Sequence, residues 1–218
     1  MKANSKIIFS NQPGVHENLE KTVLRHLNSA FLKPISDHTR AAFDDVTSQI
    51  AVHDRPLVLD ACCGVGDSSR ALAAIYPDHW VVGVDKSASR LNREREHSSP
   101  ENLILVRADL NDFYRLAAAA EWRPTHHFVL YPNPWPKAEH LKRRWHGAPV
   151  FPDMLKLGGR LELRSNWRLY LEEFCAALTL AGHRGEIEPY DAGNPITPFE
   201  AKYKASGQAL WRLTAKLT

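Results

Sequence analysis

The chain has 218 residues, 44% hydrophobic and 24% charged, with a formal net charge of +3 and a pI near 8.8. That balance fits a globular protein with one sizeable α/β core and excludes a low-complexity or disordered chain. No run approaches the roughly 18 apolar residues of a membrane span, Met1 to Lys6 leads into no signal-peptide core, and Cys62, Cys63 and Cys175 suit neither a disulfide framework nor a zinc site; a reduced, cytoplasmic protein is expected.

Leu19, Val23, Leu24, Leu27 and Phe31 recur at helical spacing, Pro34 interrupts, and Ser36 offers an N-cap for a second helix through Phe43, Val46 and Ile50. Residues 1–54 therefore read as a helical extension. From Leu57 the pattern becomes strands alternating with helices: Leu57–Asp60, a helix over Ser68–Tyr76, Val81–Asp85, a helix over Ala88–His97, Leu103–Val106, a helix over Asn111–Glu121, and a strand His127–Tyr131. After a proline-rich loop come Arg160–Arg164, a helix with Leu171, Phe174, Cys175 and Leu178 that stops at Gly182, and strands around Arg184–Pro189 and Ala209–Leu217. Such alternation specifies an α/β fold over residues 55–218: a mostly parallel, seven-stranded, Rossmann-like sheet with helices on both faces, closing in an antiparallel C-terminal hairpin.

In such sheets ligands bind beyond the carboxyl ends of the strands. Asp60 and the Gly64-Val65-Gly66 turn follow the first strand, Asp85 ends the second about 20 residues beyond the glycines, where an acid accepts from ribose hydroxyls, and Asp109 follows the third. Glycines there let the backbone approach a ligand. Asp60 and Asp67 flank the turn; they would repel a pyrophosphate but suit the amino group and sulfonium of S-adenosylmethionine, which is preferred to a nicotinamide cofactor on that ground. Local alternatives stand beside each acid: Asp67 as a helix N-cap, Asp85 as a turn residue, Asp109 as the cap of the next helix. After the fourth strand comes Tyr131-Pro132-Asn133-Pro134-Trp135-Pro136-Lys137, whose prolines fix φ and remove donors, so that Asn133, Trp135 and Lys137 are presented from a stiff, extended loop.

These motifs resemble the class I methyltransferases of the bacterial tRNA (guanine-N7)-methyltransferase type, whose signature contains a Phe-Pro-Asp-Pro-Trp-Pro-Lys segment followed by basic residues. Thr197-Pro198-Phe199-Glu200, with Trp211 and Leu213 beyond it, looks like the family's Thr-x-Phe-Glu segment and last strand. The resemblance covers Leu57 to Leu217. It implies that Asp60, Gly64, Gly66, Asp85 and Asp109 hold S-adenosylmethionine. Lys137 would bind substrate, with Thr197, Phe199 and Glu200 near the target guanosine. Asn133 stands where the family has a loop aspartate, at the junction of donor and acceptor and therefore the candidate catalytic position. Asn166 likewise replaces an aspartate after the fifth strand.

Each asparagine keeps a hydrogen-bonding side chain but removes a charge that would accept from guanine N1 and N2. Guanine N7 is an unprotonated acceptor, so transfer to it needs in-line positioning more than proton abstraction. Lys137, Lys142, Arg143 and Arg144, with His140 and His146, could neutralise phosphates while Trp135 or Trp145 stacks on a base, although a solvated basic face and a Trp135 packed under its loop are the structural alternatives. Glu172 and Glu173 interrupt any continuous basic stripe, and no histidine shows metal-ligand spacing. The expected function is methylation of guanine N7 in tRNA. The alternatives are methylation of another base nitrogen or of a small molecule, and an RNA-binding paralogue without activity.

Overall fold

The computed structural model of the protein describes residues 5–93 and 99–218. Seven strands form one sheet in the order β3-β2-β1-β4-β5-β7-β6: β1 (Leu57–Ala61), β2 (Trp80–Asp85), β3 (Leu103–Arg107), β4 (His126–Leu130), β5 (Gly159–Ser165), β6 (Gly185–Pro189) and β7 (Trp211–Leu217). β1 to β5 run parallel, and β7 lies antiparallel to both β5 and β6. Every residue of β1 is buried, as expected of a central parallel strand covered on both faces. Edge strand β6 alternates half-buried with exposed residues. The strand order reverses between β1 and β4, which pair from Val58↔His126 to Ala61↔Val129.

The helices are α1 (Leu19–Leu27), α2 (Asp37–Ile50), α3 (Asp67–Ile75), α4 (Ala88–Leu91), α5 (Leu110–Ala119), α6 (Phe151–Lys156), α7 (Arg168–Leu180) and α8 (Pro198–Ala205). Leu19, Val23, Phe43 and Val46 belong to the same buried cluster as Leu59, Val82, Phe113 and Phe174, so the N-terminal helices complete the main core. Phe43 meets Phe113 at 5.3 Å edge-on and Trp122 at 5.0 Å, fixing α2 against α5.

Several expectations change in detail. α1 ends at Leu27 rather than running to Phe31, and Ser36 stands at the N-cap of α2 with its hydroxyl on Thr39 Oγ1 at 3.0 Å instead of on a backbone donor. Gly66, at φ +80°, occupies the N-cap of α3, so Asp67 is its first residue and complements the helix dipole there. The expected helix to His97 is seen as α4, its remainder lying partly outside the described residues. β6 and β7 are antiparallel but not a tight hairpin, because α8 interrupts their connection. α6, α8 and two 3-10 turns (Ala138–Arg143 and Trp145–Gly147) were not legible in the periodicity, being too short to show a face.

Candidate active site at the strand ends

Three left-handed residues shape the first loop: Cys62 (φ +63°), Gly64 (φ +61°) and Gly66 (φ +80°). The conformation favours glycine, and at Cys62 it costs on the order of 1 kcal/mol or more. Asp85 holds the loop, its Oδ2 accepting from Gly64 N at 3.0 Å and Arg90 at 3.2 Å, and its Oδ1 from Ser87 N at 2.8 Å. Asp109 caps α5, accepting from Asn111 N at 2.9 Å, while its own amide donates to Thr39 on α2 at 3.2 Å.

Asp60 is fully buried. Ser68 and Ser69 both donate to its Oδ2 at 2.6 Å, whereas Oδ1 is buried without a hydrogen-bond partner. Burial raises its pKa to about 6, against the lowering effect of the two serine hydroxyls. A buried acceptor without a partner beside a glycine turn fits a ligand carrying an ammonium group. Ser69 reads in the sequence only as a small residue beyond the glycine turn and Ser68 only as a helix start; neither was expected to bond Asp60, although their helical register facing the strand end was readable. Gly83 on β2 makes room for them: a Cβ there would lie 2.2 Å from Ser69 Oγ and 2.8 Å from Leu105. Gly83→Ala should therefore push Ser69 off Asp60 and destabilise the protein by about 1–3 kcal/mol in thermal or urea unfolding.

On the other side of the strand ends, Tyr131 continues the β4–β5 ladder by donating its amide to Arg164 O at 2.9 Å, then turns at φ +50°. Trp135 turns again at φ +46°. The loop is thus not uniformly extended: two left-handed residues, each directly before a proline, kink it. Asn133 is exposed, its Oδ1 accepting from Trp135 N at 3.3 Å. Trp135 is half-buried, with the Arg143 guanidinium 4.7 Å from its ring centroid and His140 edge-on at 5.4 Å. Lys137 is exposed, 3.9 Å from Glu139.

Arg144 and Glu200 do not face a substrate. Arg144 is fully buried, donating to Trp135 O from Nε at 3.1 Å and from Nη2 at 3.0 Å, to Lys137 O at 3.2 Å, to Gln12 at 3.1 Å, and pairing with Glu173. It clamps the proline loop from beneath, because removed proline donors leave carbonyls that need a partner. Glu173 is likewise buried rather than on the surface: its carboxylate also accepts from His146, Gln12 and the amide of His16. Burial lowers the pKa of His146, itself fully buried, against the raising effect of Glu173. Glu200 is buried too, accepting from the Tyr131 hydroxyl and Arg164 at 2.9 Å each and from Ile196 N at 2.8 Å. Thr197 caps α8 through Glu200 N at 2.9 Å, so the Thr-x-x-Glu segment is a helix start that ties α8 to the end of β4. Phe199, half exposed, is left outward with Pro198. Asn166 donates to Gln208 at 2.8 Å, at the end of β5.

The strand ends thus gather Asp60, Gly64, Gly66, Asp85 and Asp109 on one side of the switch point, with Asn133, Trp135, Lys137 and Asn166 on the other. A family model described as putative methyltransferase matches residues 54–213. The chain belongs to this family. Among curated relatives, a tRNA (guanine-N(7)-)-methyltransferase of Saccharophagus degradans is 28% identical over 169 residues, covering 72% of this chain and 73% of that protein. One of the same description from Sphingopyxis alaskensis is 28% identical over 211 residues, covering 82% and 88%. Among solved structures, the 16S rRNA methyltransferase KamB superposes with a TM-score of 0.61 at 16% identity, covering 85% of this chain and 95% of that one. A 16S rRNA (adenine(1408)-N(1))-methyltransferase from Catenulisporales acidiphilia gives 0.58 at 18%, covering 81% and 91%. These likenesses show the class I methyltransferase fold.

Proposed function

We propose that this protein is an S-adenosylmethionine-dependent methyltransferase acting on guanine N7 in tRNA, in the cytoplasm, with residues 55–218 as the catalytic domain and residues 1–54 as an extension built into its core. The observation that carries the reading is the proline-tryptophan loop at the end of β4, set opposite a glycine turn whose buried acid keeps an oxygen without a partner. The family match and the names of the curated relatives support it.

The donor supplies a methyl group made electrophilic by its sulfonium. Asp60 Oδ1 would accept from its amino group, the backbone at Gly64 and Gly66 would pack against it, and Asp85 and Asp109 would hold the ribose and adenine ends. Asn133 would orient the acceptor base, with no general base needed because N7 carries a free lone pair. Lys137 and Arg143 would meet phosphates, and Trp135 would stack with its outer face, leaving sequence readout to the asparagine amides. Asn166 and Thr197 to Glu200 would shape the acceptor side, Arg144 and Glu200 through the loop and helix they hold rather than by touching RNA. Among the described residues no helix is long and apolar enough to cross a membrane, and no cluster of His, Cys, Asp and Glu could hold a metal ion.

A second reading is favoured by Asn133 itself: its amide can accept from an exocyclic amino group, which suits methylation at another base nitrogen. Incubation with the donor and unmodified tRNA, followed by nucleoside mass spectrometry, distinguishes the two. We expect 7-methylguanosine; methylation at another nitrogen would replace the substrate assignment, and donor binding with no methylated nucleoside would overturn it.

A further inference from the structure

The segment before α1 is tied down at both ends of the acceptor side. Ser5 donates its amide to Ser206 Oγ at 3.3 Å and accepts from Gln208 at 3.0 Å, and Gln208 in turn accepts from Asn166. Ser10 donates its hydroxyl to Pro136 O at 2.6 Å, Asn11 accepts from Ala138 N at 3.0 Å, and Gln12 bonds both members of the buried Arg144–Glu173 pair. Residues 5–12 therefore run as a strap from the α8–β7 turn to the proline loop. Five steps of extended chain reach at most about 17 Å, so the two pinned elements lie no farther apart than that.

Between these ties the strap alternates: Ile8 and Ser10 are half-buried, while Ile7 and Phe9 point outward at 82% and 87% exposure. A strap that served only as a tie would turn polar side chains to water. This one holds an aromatic there, three residues after the exposed Lys6 and one before Ser10, which is bonded to the loop that carries Lys137, Lys142 and Arg143, all exposed. Glu139 is the one acid between residues 137 and 144, and it lies against Lys137 and His140. An exposed aromatic in a segment tied to a basic loop, with Phe199 half exposed on α8, matches a partner that offers both phosphates and π faces. That chemistry favours RNA over a second copy of this chain, whose like charges would oppose association.

We propose that the strap borders the acceptor site and that Phe9 stacks on a nucleobase of the bound RNA; the inference rests on the RNA-methylating reading above. The strap lies outside residues 54–213, so it is a feature of this chain beyond the matched family region. Because Phe9 is exposed, its replacement leaves the core intact. Equilibrium binding of unmodified tRNA transcripts should weaken roughly 5- to 150-fold in Phe9→Ala, with calorimetric binding of S-adenosylhomocysteine unchanged, and Phe9→Trp should recover most of the loss. Wild-type binding to tRNA with no change in Phe9→Ala would overturn the inference alone. Concentration-dependent sedimentation of the wild type that disappears in Phe9→Ala, with tRNA affinity intact, would overturn it in favour of self-association. No tRNA binding by the wild type would overturn both the inference and the function it rests on.

Discussion

Glu173→Gln should destabilise the protein by about 3–5 kcal/mol in urea unfolding, because it leaves the fully buried Arg144 guanidinium without a counter-charge. The amide also brings a donor into a site already full of donors: Gln12 Nε2, the His16 amide and His146. Burial pushes the Glu173 carboxyl up, but the hydrogen bond and charge of His146, with the charge and hydrogen bond of Arg144, outweigh it and hold the pKa at about 2. A folded pKa below the unfolded value of ~4.3 gives stabilisation that is present above that value and lost as pH falls through about 2. The gap between wild type and Glu173→Gln should therefore be flat from pH 5 to 8 and narrow toward pH 2. The same pair holds the carbonyls of Trp135 and Lys137, so the variant should lose methyl transfer by more than it loses donor binding. Equal losses in both would show that the clamp does not set the loop.

Asp60→Asn should stabilise the ligand-free protein at pH 8 while abolishing most donor affinity. Burial raises the folded pKa of Asp60 to about 6, above an unfolded value near 3.9. Its contribution is fully present below the unfolded value and is lost as pH rises through about 6, so the ionised carboxylate costs the free protein about 3 kcal/mol at alkaline pH. Asparagine keeps the acceptor for Ser68 and Ser69 and removes that cost. The charge is useful only when an ammonium group meets Oδ1. Binding of S-adenosylhomocysteine to the wild type should accordingly weaken as pH drops below about 6, and in Asp60→Asn that pH dependence should vanish along with at least tenfold of the affinity. Calorimetry between pH 5 and 8 reads both effects. An unchanged affinity in the variant would remove Asp60 from the donor site.

Asp60, Gly64, Gly66, Asp85 and Asp109 were legible because strand ends and glycine turns are local: alternation of β runs with helices places each at the edge where a parallel sheet exposes its ligands. The proline-tryptophan loop was legible for a related reason, since proline restricts the chain wherever it stands. Its kinks at Tyr131 and Trp135 were not, because a left-handed residue before proline is locally unfavourable and persists only when surrounding contacts hold it. Those contacts come from far along the chain.

Arg144 shows the division most clearly. In sequence it ends a basic run and reads as a phosphate ligand; in the fold it is sealed against Glu173, 29 residues on, and Gln12, 132 residues back. Glu173 carried a faint signal, since Tyr170 and Ala177 at helical spacing put it on the buried face of α7. What it would meet there depended on how α7, the strap and the proline loop close on one another. Glu200 repeats the pattern, its capping segment readable and its burial against Tyr131 and Arg164 not. The sequence by itself determined the sheet, and placed Asp60, Gly64, Gly66, Asp85 and Asp109, proposed to hold the donor, at the edge where its parallel strands end, because periodicity and backbone restriction act within a few residues. Which charges face the substrate and which lock the loop was decided only by tertiary structure, because the pairing of buried ions depends on chain segments that meet only when the core has formed.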